Sequence, residues 1–227
     1  MLRLRTVGEP LTRNLLRTVF LFLGALSFQR VAFLFFFSDH WKNLPWNDVG
    51  VSLLTGLRFD LMVAGYALSV FALLWFPLSY LILLRLGVIN FLTKLILAVE
   101  MAILFVVSFF DVEWTHIFAD RFNSGHSWGE FVSVAPFDFF GLMNMNVHLL
   151  FLWFFLRMIF RLDLVWPPSF NFFRWVALLL VLGLMIRGSL NEYHLDLRHS
   201  RVTNSTFLNT ASISSAYALD QALRQRR

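Results

Sequence analysis

The sequence predicts an all-α integral membrane protein with five transmembrane helices, a cytoplasmic N-terminus and an extracytoplasmic C-terminal tail. Three observations carry that prediction. The first is composition: 58% of the 227 residues are hydrophobic, 28 are phenylalanine and 8 tryptophan, and only 15% are charged, values that soluble domains rarely combine. The second is a set of five apolar runs, each long enough for the about 20 helical residues that cross a bilayer. The third is the alternation of arginine-rich and arginine-poor connections between those runs.

The runs fall at roughly 15–37, 52–84, 91–112, 147–166 and 171–190. In the first, Ala25-Leu26-Ser27 has the small-x-small form of a signal-peptide cleavage site. The apolar stretch continues to Phe37, too long for a removable segment, so an uncleaved anchor is expected. The second run exceeds one crossing, and Pro77 is expected to kink it or mark its exit.

Arg3, Arg5, Arg13 and Arg17 precede or open the first run; Arg85 and Lys94 flank the turn between the second and third; Arg157, Arg161 and Arg174 flank the turn between the fourth and fifth. The other connections, about 38–51 and 113–146, are longer and rich in Trp, Phe, Asn and His, and interfacial helices are expected there. The positive-inside rule then puts the N-terminus in the cytoplasm and the tail outside. Arg187, Arg198, Arg201, Arg224, Arg226 and Arg227 in the tail oppose this, and the earlier segments outweigh them. A membrane domain, 1–190, is thus followed by a polar connector, 191–227, in which Leu208, Ala211, Ser215, Leu219 and Ala222 form a weak helical stripe.

The chain has no cysteine, which excludes disulfides and thiolate chemistry. The formal charge of +5 is spread between apolar runs, so no nucleic-acid partner is expected. No P-loop, nucleophile elbow or HExxH motif is present, and no catalytic residue is assigned. Haem is set aside because no histidine is expected well inside a span.

Arg58 and Asp60 are two residues apart and face different sides of a helix. Arg30 and Asp60 come out at similar depths, about 10 Å below the outer face at 1.5 Å per residue. The expectation is either a structural Arg30–Asp60 ion pair or a lipid-headgroup site that uses Arg30 and Arg58. Glu100, near the middle of the third run, is an intramembrane acid: a proton relay, a protonated carboxyl, or a partner of Gln29 or a hydroxyl. Glu113, His116 and Asp120 at i, i+3 and i+7, with Arg121 and Asn123, form an outer-face polar cluster; the residue types suit metal, but the pattern also fits an interfacial helix and no metal is assigned.

Three stretches together resemble the N-terminal membrane domain of the lipoteichoic acid synthase and phosphoglycerol transferase family. They are Gly56-Leu57-Arg58-Phe59-Asp60-Leu61, Asp111 to Asn123, and Phe207-Leu208-Asn209 followed by Ala216-Tyr217-Ala218-Leu219; Ser214 and Ser215 stand where that family usually has Asn-Pro. The resemblance implies a membrane-anchoring, lipid-facing module whose chemistry belongs to a sulfatase-like extracytoplasmic domain, with a threonine nucleophile and manganese. That domain transfers glycerol phosphate from phosphatidylglycerol. This chain is then expected to be a truncated or split member, with no cofactor of its own, a phospholipid such as phosphatidylglycerol as ligand and a separate catalytic subunit as partner. The competing expectations are a stand-alone membrane protein that binds a lipid or protein, and a small transporter resting on Glu100 and Arg30.

Overall fold

The computed structural model describes residues 8–80, 86–118, 139–161, 172–187 and 200–219. Among them the chain is helical throughout, with no strand: α1 Gly8–Phe36, a 3-10 turn Ser38–His40, α2 Trp46–Tyr80, α3 Leu86–Phe118, α4 Phe139–Arg161, α5 Phe172–Arg187 and the short α6 Thr206–Ala211. A bilayer leaves backbone N–H and C=O groups no water to bond, so a chain this apolar satisfies them inside helices. Among the described residues four helices are long and apolar enough to cross: Leu16–Phe36, Trp46–Ser69, Phe91–Phe118 and Phe139–Arg161. The protein is therefore a multi-pass membrane protein by length and composition. The described part of α5 has 16 residues, about 24 Å of helix.

Several element bounds differ from those expected. α2 starts at Trp46 rather than near 52, because Asp48 in its first turn favours a helix N-terminus, and it runs through Pro77 to Tyr80 rather than ending at the proline. α3 runs on to Phe118, so Glu113 and His116 belong to a long helix and not to a separate interfacial one. Polar residues there face neighbouring helices, which keeps the helix going where hydropathy alone falls. α4 begins at Phe139, about two turns before the expected start, and carries His148 well inside it.

The helices pack around one seam. Leu21, Phe22, Ala25 and Leu26 of α1 recur at three- and four-residue intervals and meet Val63, Ala64 and Leu68 of α2, Leu97, Met101, Leu104 and Phe105 of α3, Phe155 and Ile159 of α4 and Leu182 of α5. Phe28 stacks on Phe151, ring centroids 3.4 Å apart. The opposite, exposed faces carry Phe91, Val99, Ile103, Leu150, Trp153 and Leu180, as lipid contact requires. α2 and α5 approach closely at Gly65, where a Cβ would stand 2.9 Å from Met185 Cβ.

Two ends can be told apart. Lys94 Nζ donates to the Phe160 carbonyl at 2.9 Å, so the start of α3 and the end of α4 share one end, with the lysine capping α4's last turn. At the other, Phe33, Leu34 and Phe37 of α1, Val49 of α2 and Val112 of α3 form a second cluster, joined by Leu208 and Ala211 of the tail. This is called the Trp46 end below.

Candidate functional site

The Trp46 end gathers most of the buried polar side chains, in two groups. The first lies between α1, α2 and the tail. Arg30 Nη2 donates to Asp60 Oδ1 at 2.7 Å, and the two side chains are 4% and 1% exposed. The arginine and the aspartate bring opposite charges out of water together, which is how a bundle accommodates either one. Gly56, one turn before Asp60 on the same face, completes the arrangement: a Cβ there would overlap the Arg30 guanidinium. Glycine at 56 is what lets the guanidinium lie flat on α2 and reach the carboxylate.

Arg58 does not join them. It is exposed, and among the described residues it has no ion pair. The two arginines that the sequence offered for one headgroup site thus occupy different surroundings.

The tail closes this group from the Trp46 end. Ser205 caps α6 by accepting from Leu208 N, and Asn209 Oδ1 accepts from the backbone N–H groups of Val202 and Thr203 at 3.0 and 2.9 Å, folding 202–209 into a tight unit. Ser52 Oγ of α2 donates to the Leu208 carbonyl at 2.7 Å. Phe207 stacks on His40 at 5.2 Å, and Leu208 is fully buried. Ser214 Oγ then accepts from Tyr217 N, capping the helical turn 215–219. Tyr217 lies 5.2 Å from Phe59, and Leu219 packs on the Trp114 cluster. The described part of the polar connector, 200–219, is therefore a strap across three helices. Of the expected stripe, Leu208, Ala211 and Ser215 are buried, and Ala222 lies outside the described residues.

Beneath the strap a small cleft, with room for about one water, is lined by Leu26, Gln29, Arg30 and Phe33 and by Ala211, Ile213, Ser214 and Ser215. Gln29 is 4% exposed, and its Nε2 has no protein acceptor among the described residues. Gln29 is not bonded to Glu100, whose two carboxylate oxygens are buried without a hydrogen-bond donor among those residues. The expected Gln29 or hydroxyl partner of Glu100 is thus not found.

The second group lies on the α3–α4 seam, which sequence reasoning missed. Asn144 Nδ2 donates to Glu113 Oε1 at 2.6 Å and to the Phe109 carbonyl at 3.2 Å. His148 Nδ1 bonds the Asn144 carbonyl at 3.0 Å, and Nε2 meets Ser108 Oγ at 3.1 Å. A carbonyl can only accept, so Nδ1 carries a proton and, in the neutral ring, the Ser108 hydroxyl donates to Nε2. His148 is 3% exposed, contrary to the expectation that no histidine sits inside a span; both ring nitrogens are engaged. The signal was available as Asn144 and His148 at i and i+4 on α4, but only with the helix start placed at Phe139.

The expected Glu113–His116–Asp120 face does not form as one cluster. Glu113 turns into the seam, while His116 is exposed and stacks on Phe140 at 3.8 Å. Asp120, Arg121 and Asn123 lie outside the described residues. Among the described residues no three His, Asp or Glu side chains are grouped to hold a metal. At the rim, Lys42 hydrogen-bonds Asp39 and holds its carboxyl below the usual range, an exposed pair of little energetic weight.

Comparison of the chain with protein-family models, with curated proteins and with solved structures returns no match.

Proposed function

We propose that the chain is the membrane-anchoring, lipid-facing module of a phosphoglycerol transferase of the lipoteichoic acid synthase type, whose glycerol-phosphate transfer is carried out by a separate sulfatase-like domain or subunit using manganese. The observation that carries the reading is spatial. The three stretches that resemble that family, 56–61, 111–123 and 207–219, converge at one end of the bundle as far as they are described. Leu208 packs with Val112, Ser52 holds the Leu208 carbonyl one turn before Gly56, and Tyr217 meets Phe59. A segment clamped to three helices over a buried ion pair is a rigid mount, suited to fixing a catalytic domain at a set height above the membrane.

The proposed topology has five crossings, with the Trp46 end outside. Two observations support it. Arginine and lysine concentrate near the Lys94 end, in Lys94, Arg157 and Arg161. The tail also sits on the Trp46 end although α4 finishes at the Lys94 end, and a fifth crossing by α5 would account for both. Reporter fusions after Arg85 and Arg161 are expected to read cytoplasmic, and fusions after Asn123 and Arg227 external. A cytoplasmic reading at Arg227 rejects the fifth crossing.

The division of labour has its own test. The purified chain is expected to release neither diacylglycerol nor glycerol phosphate from phosphatidylglycerol vesicles, with or without manganese. Turnover that persists through purification and depends on metal would place the chemistry in this chain. Co-expression with a sulfatase-like catalytic domain is expected to give a complex that survives detergent extraction, and its absence would leave a stand-alone membrane protein.

A further inference from the structure

We infer that Arg58 holds the phosphodiester of an anionic phospholipid against the lipid-facing side of α2, below the open place left by Gly50. The inference rests on the lipid-facing part of the proposed function and is independent of the transferase kinship.

Arg58 carries a charge that cannot be removed. A guanidinium does not release its proton in proteins, so Arg58 stays cationic wherever it sits. It lies within the candidate span Trp46–Ser69, exposed, beside Leu54 at 70% and Leu57 at 40% exposure. Those neighbours mark a face turned to lipid. Asp60, two residues on, faces the bundle interior, where Arg30 already holds it. No carboxylate among the described residues answers Arg58. A cation on a lipid-facing surface is costly unless it reaches the interface and an anion.

The backbone shows in which direction it reaches. Helical side chains lean toward the N-terminus of their helix, so Arg58 leans toward Trp46. Leu54 and Gly50 follow at four-residue steps on that ridge, Gly50 about 12 Å up the axis from Arg58. A Cβ at Gly50 would meet no atom within 4 Å, so the ridge has an open place there. One turn above stands Trp46, 77% exposed, an aromatic ring of the kind that settles at the headgroup level. The open place therefore lies at the depth where a phospholipid's phosphate and ester groups begin; the rising guanidinium stops short of Gly50, and a phosphate settling between the two meets two parallel N–H donors. The ligand is an anionic lipid rather than a zwitterionic one, since a headgroup with its own ammonium already offsets its phosphate.

The test is native mass spectrometry of the full chain taken from nanodiscs of equal phosphatidylglycerol and phosphatidylcholine, with thermal stability measured alongside. The wild-type chain is expected to retain phosphatidylglycerol preferentially. Arg58→Gln should lower that preference about five-fold, the ratio that corresponds to one basic residue near a membrane surface. Arg58→Lys should keep part of it, because the charge remains and the fork is lost. Gly50→Leu, whose Cβ meets no atom within 4 Å, should weaken retention without lowering the melting temperature. Excess inorganic phosphate should leave the lipid adduct in place. An unchanged preference in Arg58→Gln, an equal loss of both lipids, displacement by phosphate, or a Gly50→Leu chain that binds as wild type would each overturn the assignment. Failure to form a complex with a catalytic domain would overturn the proposed function and leave this result standing.

Discussion

Gly56→Ala is expected to destabilise the bundle by roughly 3–5 kcal/mol, the loss seen when one member of a buried ion pair is stranded. On an exposed helix the same change would stabilise by about 1 kcal/mol, since alanine is the better helix former. The sign reverses here because the new Cβ would occupy the place of the Arg30 guanidinium. That group is the flexible end of a long side chain and could swing aside, but its side chain is only 4% exposed and it is held by Asp60. Moving it means stranding Asp60. The background identifies the cause. In the Arg30→Ala, Asp60→Ala double variant nothing occupies the space over Gly56, so adding Gly56→Ala there should be neutral or mildly stabilising. Melting temperatures of the four detergent-solubilised proteins measure this. A similar loss in both backgrounds would mean that Gly56 is needed by the backbone and not by the arginine.

What the sequence made legible follows from range. Period and hydropathy are local, so the helices, the basic residues toward one end of the bundle and the matching depths of Arg30 and Asp60 could all be read from it. The role of Gly56 could not, because it depends on a side chain 26 residues earlier lying across α2. Boundaries failed where polar residues have partners in neighbouring helices. Glu113 and Asn144 look like loop residues by hydropathy and His148 like the first turn of a span, and a sequence does not show that Asn144 bonds Glu113 or that His148 has Ser108 opposite.

The tail was read as a polar connector with a weak helical stripe, and its docking was not legible for a related reason. Ser205, Asn209 and Ser214 place their hydrogen bonds on the local backbone. That leaves Phe207, Leu208, Ala211 and Tyr217 facing the helices. Such self-satisfied polar segments bury apolar residues without a long apolar run to announce them.

The Arg30–Asp60 pair gives the second large effect. Either Arg30→Ala or Asp60→Ala leaves an uncompensated charge that is 94% or more out of contact with solvent, and each is expected to cost on the order of 3–5 kcal/mol. The double variant strands neither charge, so its loss should be well below the sum, with a coupling of about 2–3 kcal/mol in a double-mutant cycle. The strap gives a second readout. Arg30 lines the cleft closed by Ala211, Ile213, Ser214 and Ser215, so a disturbed Arg30 should loosen the tail before the bundle melts. Hydrogen exchange over 205–217 is expected to speed up in both single variants and to recover in the double variant. Strictly additive losses would reject the coupling. Additive losses with unchanged exchange in the tail would reduce the pair to a local helix contact with no part in mounting the strap.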